Sequence, residues 1–173
     1  YLSPKEYLAK PGKNEYFFLH HTAGGCNPYS CIDQWNRDNR GRIATEFVLG
    51  GQDHKNNNDE YDGIMVQAFP EEGYGWHLGK TGSGYMNKHS IGVEICSMGY
   101  LDDYDKTYVG SKAADEQIIT LEEAFKSRTR WHKYSDKQID EIQKLILYIQ
   151  ERDQIDMRVG LQQFIKKHGP TKA

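Results

Sequence analysis

Two adjacent histidines stand where an apolar segment ends, and their side chains could do chemistry. His20 and His21 follow the aromatic and aliphatic run at 16–19 and precede Gly24 and Gly25. A short apolar run bounded by turn residues predicts a buried strand, and open α/β sheets bind ligands at the carboxyl ends of their strands. Because imidazole is the commonest side-chain metal ligand, the pair is a candidate metal site. The alternative is two ordinary strand-end histidines, one packed and one solvated.

Glu94 is the second candidate, because it interrupts an apolar strand. Residues 90–96 alternate, which predicts a strand with Ile91, Val93 and Ile95 on one face and Gly92, Glu94 and Cys96 on the other. Burial disfavours the charge of a carboxylate. A glutamate in this position therefore needs a partner or a chemical role, unless the strand lies at an edge and Glu94 faces solvent.

A third candidate is the segment Trp76-His77-Leu78-Gly79, which follows a loop rich in glycine. We interpret Trp76 and His77 as a rim that stacks on a ligand and hydrogen-bonds to it. The alternative is a loop whose tryptophan packs on the core.

These side chains must be positioned by strands and helices that the apolar periodicity predicts. A proline at the first helical position favours a helix at Tyr29–Asn36 after Pro28. Ser135 and Gln138 form a capping box for the clearest helix, at about 135–152. The other predicted elements are strands at 16–20, 43–49, 64–69 and 90–96, a hairpin insertion within 99–131 with strand-like pieces at 107–110 and 117–121, and a short helix at Leu161–His168.

The composition is that of a globular protein with one domain at 1–173. Hydrophobic residues make up 37% of the 173 residues and charged residues 27%. The net charge of -3 gives no basic surface for nucleic acid, and no apolar run approaches the ~18 residues of a membrane span. The three cysteines, Cys26, Cys31 and Cys96, cannot all pair with one another. Cys26 and Cys31 are close enough to form a disulfide, but reduced thiols are favoured.

Four segments in one order carry a resemblance to a known family. They are Leu19-His20-His21-Thr22-Ala23-Gly24, Ala44-Thr45-Glu46-Phe47-Val48, Trp76-His77-Leu78-Gly79 and Ser90-Ile91-Gly92-Val93-Glu94-Ile95. With the capped helix that follows, they resemble the type 2 N-acetylmuramoyl-L-alanine amidases, which include phage lysozyme-type amidases and peptidoglycan recognition proteins. The resemblance covers about residues 14–152. The insertions resemble those of amidases from phages and bacteria of the Bacteroides group.

The resemblance implies an α/β fold with a central mixed β-sheet flanked by helices, and a zinc-dependent hydrolase. Its substrate would be peptidoglycan, and the bond cut would be the amide between N-acetylmuramic acid and L-alanine. Such a protein acts on the cell wall and is secreted, periplasmic or phage-encoded.

Residue by residue, the resemblance makes His20 the first zinc ligand and His21 a neighbour that binds no metal. Glu94 matches the general base. His77 and Trp76 match positions near the bound substrate. Thr45 takes the place at which some members have a tyrosine near the metal, and we expect it on the substrate side of the site.

The end of the chain departs from the family pattern. Members carry a second zinc histidine after the long helix, then a cysteine or aspartate close to a proline. His168 is the only histidine here, and no Cys or Asp follows it; a cation at the end of a helix also has a structural explanation. We therefore expect the chain to lack the segment with the second and third ligands. An alternative is a metal shared by His20, Cys26 and Cys31.

Two other functions remain open at this stage. One is a peptidoglycan-binding module that has the same fold but no catalysis, which the missing ligands favour. The other is a structural part of a phage particle. Glu94 favours the enzyme, since a protein that only binds has no use for a buried base.

Overall fold

The computed structural model describes residues 2–79, 84–158, 160, 163 and 166. Its centre is a four-stranded mixed sheet whose strands are, from one edge to the other, β2 (Tyr16–His21), β6 (Ser90–Ile95), β3 (Phe47–Leu49) and β4 (Met65–Gln67). Strands β2 and β3 each pair parallel with β6, and β4 pairs antiparallel with β3. The predicted α/β class with a central mixed sheet is confirmed.

Helices cover both faces of this sheet because its strands are apolar on both sides. Val48 packs with Ile32 and Trp35 of α1 (Pro28–Arg37), whereas its neighbours in β3 pack against α3 (Asp136–Asp153). Neighbouring residues of a strand point to opposite faces, so the two helices lie on opposite sides. The α3 side contains Phe47, Leu49, Ile91, Val93, Ile95, Ile142, Leu145 and Ile149.

Both long helices begin where the sequence predicts. The Asn27 side chain caps α1 by accepting a hydrogen bond from the Tyr29 N–H at 2.9 Å, with Pro28 as the first helical residue. Ser135 and Gln138 form the predicted capping box of α3. The Gln138 side chain also donates to the Cys96 carbonyl at 2.9 Å, which ties the start of α3 to the end of β6.

Strands β3 and β4 are shorter than predicted by several residues, and β6 by one. The prediction began the second strand at 43, but β3 begins at Phe47. The Arg42 carbonyl accepts from the Trp76 N–H at 2.8 Å, so the chain before β3 bonds to a loop rather than to β6. The strand predicted at 64–69 is β4, which covers only Met65–Gln67.

The remaining elements are small or peripheral. Strands β1 (Leu8–Ala9) and β5 (Gly73–Tyr74) pair with each other, and α2 (Gly84–Lys88) precedes β6. A 3-10 turn at Asp115–Gln117 leads into β7 (Ile118–Phe125), which forms a separate hairpin with β8 (Arg128–His132).

The predicted hairpin insertion is therefore present, but the strand-like piece at 107–110 is wrong. That segment is a turn in which the Gly110 N–H donates to the Thr107 carbonyl at 2.8 Å. The predicted helix at Leu161–His168 falls largely outside the described residues, and the single domain stays a prediction. No helix in the described part of the chain is both long and apolar enough to cross a membrane.

Candidate active site

The sheet brings His20 and Glu94 together from distant parts of the sequence. His20 of β2 and Glu94 of β6 are register partners in a parallel pair. Partner residues on adjacent strands point to the same face, and the strands lie about 4.8 Å apart. The two side chains that sequence analysis selected are thus neighbours near the carboxyl ends of β2 and β6.

Glu94 is held in an unusual state for a carboxylate. Its Oε2 atom is buried and has no hydrogen-bond partner. Burial raises the pKa of the Glu94 carboxyl to about 7. A group that is half protonated near neutral pH can both accept and release a proton, as a general base and acid must.

His20 is linked to His77 and Ser90 in a chain of hydrogen bonds. The Nε2 atom of His20 lies 2.9 Å from Nδ1 of His77, and Nε2 of His77 lies 2.8 Å from the Ser90 hydroxyl. The sequence predicts His77 on a rim, whereas in the structure its imidazole contacts the candidate ligand His20 itself. Ser90 was missed, because a serine at the start of a strand carries no signal of this contact.

The chain of hydrogen bonds can fix the tautomer of His20. Burial, and then the charge of His20, lower the pKa of His77 to about 3, so His77 is neutral and has one donor and one acceptor nitrogen. If His77 donates to Ser90 through Nε2, its Nδ1 accepts from the His20 Nε2–H. The lone pair on Nδ1 of His20 is then available to a metal, as in the outer-shell contacts of other metal-binding histidines.

A glycine and an asparagine hold His77 in place. A Cβ atom at Gly92 would lie 2.9 Å from Nδ1 of His77 and 2.7 Å from the Thr45 methyl, so only glycine allows these side chains to cross β6 here. The Asn87 side-chain oxygen accepts from the backbone N–H groups of His77 and Leu78 at 2.9 and 3.1 Å. Gly92 within an apolar strand was the sequence signal for this close approach.

The Thr45 methyl and the His77 ring both lie against Gly92, and Trp76 precedes His77 in the chain. Thr45 is buried, and its hydroxyl donates to the Phe47 carbonyl at 2.7 Å. Trp76 is half-buried, with its ring centroid 6.0 Å from that of Tyr74. The substrate contacts of Thr45, Trp76 and His77 stay predictions.

The chemistry of two described residues fits part of a metal site. His20 offers a nitrogen, and Glu94 beside it offers an unpartnered carboxylate oxygen, which fits a ligand with an adjacent base. Among the residues that the structure describes, no group of three His, Cys, Asp or Glu side chains could hold a metal ion. His168 lies outside these residues.

The alternative site at His20, Cys26 and Cys31 is therefore wrong. Both cysteines are free thiols, as favoured from the sequence. Burial, and then the Glu94 charge, raise the pKa of the Cys31 thiol to about 12. Since a thiol binds zinc as the thiolate, this side chain is poorly suited to be a ligand.

The other conspicuous carboxylate, Glu46, belongs to a structural ion pair. Its side chain is buried, accepts from Arg152 at 2.7 Å and lies 4.0 Å from the Lys10 ammonium. Lys10 and Arg152 line an open cleft of about 900 Å³ that contains neither His20 nor Glu94. Glu46 thus points away from the candidate active site.

Comparisons with known proteins show the family and the fold of this chain. The sequence model of the family described as N-acetylmuramoyl-L-alanine amidase matches residues 10–172. The fold is similar to that of AmiD from E. coli, solved with the substrate anhydro-N-acetylmuramic acid-L-Ala-D-gamma-Glu-L-Lys, at a TM-score of 0.50 and 16% identity over 86% of this chain. A search among curated protein sequences gives no match.

Two further similar structures are AmpDh3 from Pseudomonas aeruginosa and PGRP-LB from Drosophila. AmpDh3 matches at a TM-score of 0.49 with 18% identity over 84% of this chain, and PGRP-LB at 0.49 with 16% identity over 89%. The chain spans 48% of the length of AmiD, 48% of AmpDh3 and 71% of PGRP-LB.

Proposed function

The chain belongs to the N-acetylmuramoyl-L-alanine amidase family, and we propose that it is a zinc-dependent enzyme that cuts peptidoglycan. The bond is the amide between the lactyl group of N-acetylmuramic acid and L-alanine. The observation that carries this proposal is the buried, unpartnered Oε2 of Glu94 beside His20. A protein that only binds would gain nothing from a carboxylate whose burial is not offset by a partner.

Glu94 is the group that moves protons in this proposal. It takes a proton from the attacking water as the water oxygen bonds to the amide carbon. It then gives that proton to the leaving nitrogen as the C–N bond breaks. The products are the lactyl carboxylate and a free amino group on L-alanine.

His20 holds the metal in this scheme, and His77 with Ser90 orients His20. When bound, zinc lowers the pKa of water and polarises the amide carbonyl. His20 is the one zinc ligand that we assign among the described residues. The remaining zinc ligands are assigned to parts of the protein outside them. The half-buried ring of Phe18 lies within 6.4 Å of the His20 ring and 5.8 Å of the His77 ring, centroid to centroid, and shields one side of the pair from water.

A second candidate function is a peptidoglycan-binding module without catalysis. It is favoured by one observation: the described part of the chain contains no three-residue metal site. The two candidates differ in what becomes of the polymer. The enzyme releases fragments, whereas the module binds the polymer and leaves it intact.

The test uses the natural full-length protein with dye-labelled peptidoglycan, and zinc content is measured alongside. We expect one zinc per chain and release of dye by the wild type. We expect His20→Ala to lose both the bound zinc and the release of dye. Glu94→Gln should retain zinc but lose about 10²–10⁴-fold in rate. Glu151→Gln, at an exposed position on α3, is the matched control and should match the wild type. A zinc-loaded wild type that sediments with peptidoglycan but releases no dye contradicts the enzyme and supports the module.

A further inference from the structure

The β7–β8 hairpin presents an aromatic surface that the candidate active site does not use. Ile119 and Trp131 are register partners, and Tyr100 forms a bridge to Trp131, so these three side chains share one face. The Trp131 ring lies 6.4 Å from the Tyr100 ring and 5.7 Å from the Phe125 ring, measured between centroids. We call the surface formed by Tyr100, Ile119, Phe125 and Trp131 the aromatic platform.

The aromatic platform faces solvent. The exposed fractions are 41% for Tyr100, 43% for Ile119 and 56% for Phe125, and Trp131 is half-buried. Contiguous apolar side chains on a surface mark binding sites more often than scattered ones do. Aromatic rings contribute most strongly to such sites, because they offer large rigid faces at low entropic cost.

Buried hydrogen bonds hold the base of the hairpin rigid. The His132 Nε2–H donates to the Gln117 side-chain oxygen at 2.6 Å, and the Gln117 amide donates to the Asp53 carbonyl at 2.8 Å. Backbone bonds from Leu101 to Arg130 at 2.9 Å and from His132 to Gly99 at 2.8 Å fix the segment that carries Tyr100. A platform held in this way is organised before its ligand arrives.

The segment that leads to Tyr100 lies beside the end of β2, the strand that carries His20. Tyr100 follows Gly99, at which a Cβ atom would lie 2.8 Å from the His21 ring. His21 is the residue after the candidate ligand His20. The Gly24 N–H also donates to the Ser97 carbonyl at 3.1 Å, so the end of β2 and the segment before Tyr100 run side by side. The hairpin therefore lies next to the strand end that carries His20.

Two cationic side chains make cation–π contacts with rings of the platform. The Arg128 guanidinium carbon lies 4.8 Å from the Tyr100 ring centroid, and the Lys126 ammonium lies 5.5 Å from that of Phe125. Aromatic faces stack on the apolar C–H faces of pyranose rings, and cations pair with carboxylates. Peptidoglycan offers both groups: amino sugars in a chain, and carboxylates on its peptides.

The area of the platform argues against a second copy of the chain as its occupant. An aromatic side chain contributes about 150–250 Å² when fully exposed, so four partly exposed side chains offer roughly 300–400 Å². A stable protein interface needs about 800 Å² from each partner. The platform is the right size for a few sugar rings instead.

We propose that the aromatic platform binds the glycan strand of peptidoglycan, with Lys126 and Arg128 facing the carboxylates of the polymer. This inference rests on the proposed function, since it makes the hairpin an extension of the same substrate site. The platform supplies affinity for polymer and takes no part in bond cleavage.

The test measures binding of a soluble β-1,4-linked N-acetylglucosamine tetramer by calorimetry to the full-length protein. We expect the double variant Tyr100→Ala/Phe125→Ala to bind at least tenfold more weakly than the wild type. Tyr104→Ala is the matched control, because Tyr104 is 76% exposed and no ring contact joins it to the platform; it should bind as the wild type does. Equal affinity in the double variant, or no binding by the wild type, overturns the proposal. Dimerisation that the double variant abolishes, without tetramer binding, overturns it in favour of a self-association surface.

A second readout separates this inference from the proposed function. Hydrolysis of a soluble N-acetylmuramyl tripeptide needs the active site but not the glycan chain. The double variant should cut this small substrate at the wild-type rate and cut polymeric peptidoglycan at least tenfold more slowly. If the wild type cuts neither substrate, the proposed function is contradicted and the tetramer measurement still tests the platform. If the wild type is active and the double variant cuts the polymer equally fast, the platform is contradicted.

Discussion

The Glu94 carboxyl group is kept ready for proton transfer by an environment that disfavours its charge. Burial raises its pKa to about 7, and its Oε2 has no partner. A carboxyl group with a raised pKa in the folded state destabilises the fold as pH rises through the interval from about 4.5 to 7. The site is therefore organised at some expense of stability.

Glu94→Gln should raise the free energy of unfolding of the metal-free protein by about 1–3 kcal/mol at pH 8, because a neutral amide replaces a buried charge. Urea unfolding in the presence of a chelator measures this change. At pH 4 the two proteins should differ much less, because Glu94 is then protonated in both states. A large loss of stability in Glu94→Gln at pH 8 would show that the carboxylate has a partner.

Zinc affinity should depend on the hydrogen bonds that join His20 to His77 and His77 to Ser90. His77→Ala and Ser90→Ala should weaken zinc affinity about 10–100-fold, the usual effect of losing an outer-shell partner. Competition with a chromophoric chelator measures the affinity. Nitrogen-15 shifts of His20 in the metal-free protein should also show a mixed tautomer in the variants and the Nε2–H form in the wild type. Identical shifts would contradict a role for His77 in fixing the tautomer.

At the scale of elements, β6 must be free of side chains where His77 crosses it. Gly92→Ala should cost about 1–3 kcal/mol of stability, since its methyl would overlap the Thr45 methyl and the His77 ring. It should also weaken zinc binding, because His77 moves away from His20. Gly25→Ala is the control, since a Cβ atom there meets no atom within 4 Å. Thermal unfolding and the zinc competition assay report both effects.

The buried His132, which bonds to Gln117 at the base of the β7–β8 hairpin, predicts that the free energy of unfolding depends on pH. Burial, and then the charge of His54, lower the pKa of His132 to about 4. Between about 6.5 and 4 the unfolded chain binds the proton and the folded chain does not, so stability falls as pH falls through this interval, by about 3 kcal/mol in total. In urea unfolding from pH 8 to 4, the difference between the wild type and His132→Gln should show this slope, because Glu94 contributes a slope of opposite sign to both proteins. An unchanged slope in His132→Gln would contradict this origin.

The elements that sequence analysis located are those whose signals are local. The proline that opens α1, the capping box of α3 and the alternation of β6 depend on neighbours in the chain, and their predictions agree with the structure. The start of β3 was misplaced because its limit is set by a bond from Trp76 to Arg42, far apart in the sequence. The pairing of His77 with His20 was missed for the same reason, although Gly92 signalled a close approach.

At the scale of the whole molecule, the site depends on the two apolar layers that pack on the faces of the sheet, one with α1 and one with α3. His20 and Glu94 are neighbours only because β2 and β6 pair in one register. A shift by one residue would turn one of them to the opposite face. The packing of Ile91, Val93 and Ile95 against α3 fixes that register by burying one face of β6.

The identity of the bond that is cut tests the central claim most directly. Mass spectrometry of purified peptidoglycan after digestion by the full-length protein gives the chemical ends of the fragments. We predict peptides with free L-alanine amino termini and glycan strands with intact lactyl groups, both absent with Glu94→Gln. New reducing sugar ends, amino termini other than L-alanine, or an undigested polymer that retains the bound protein would contradict it.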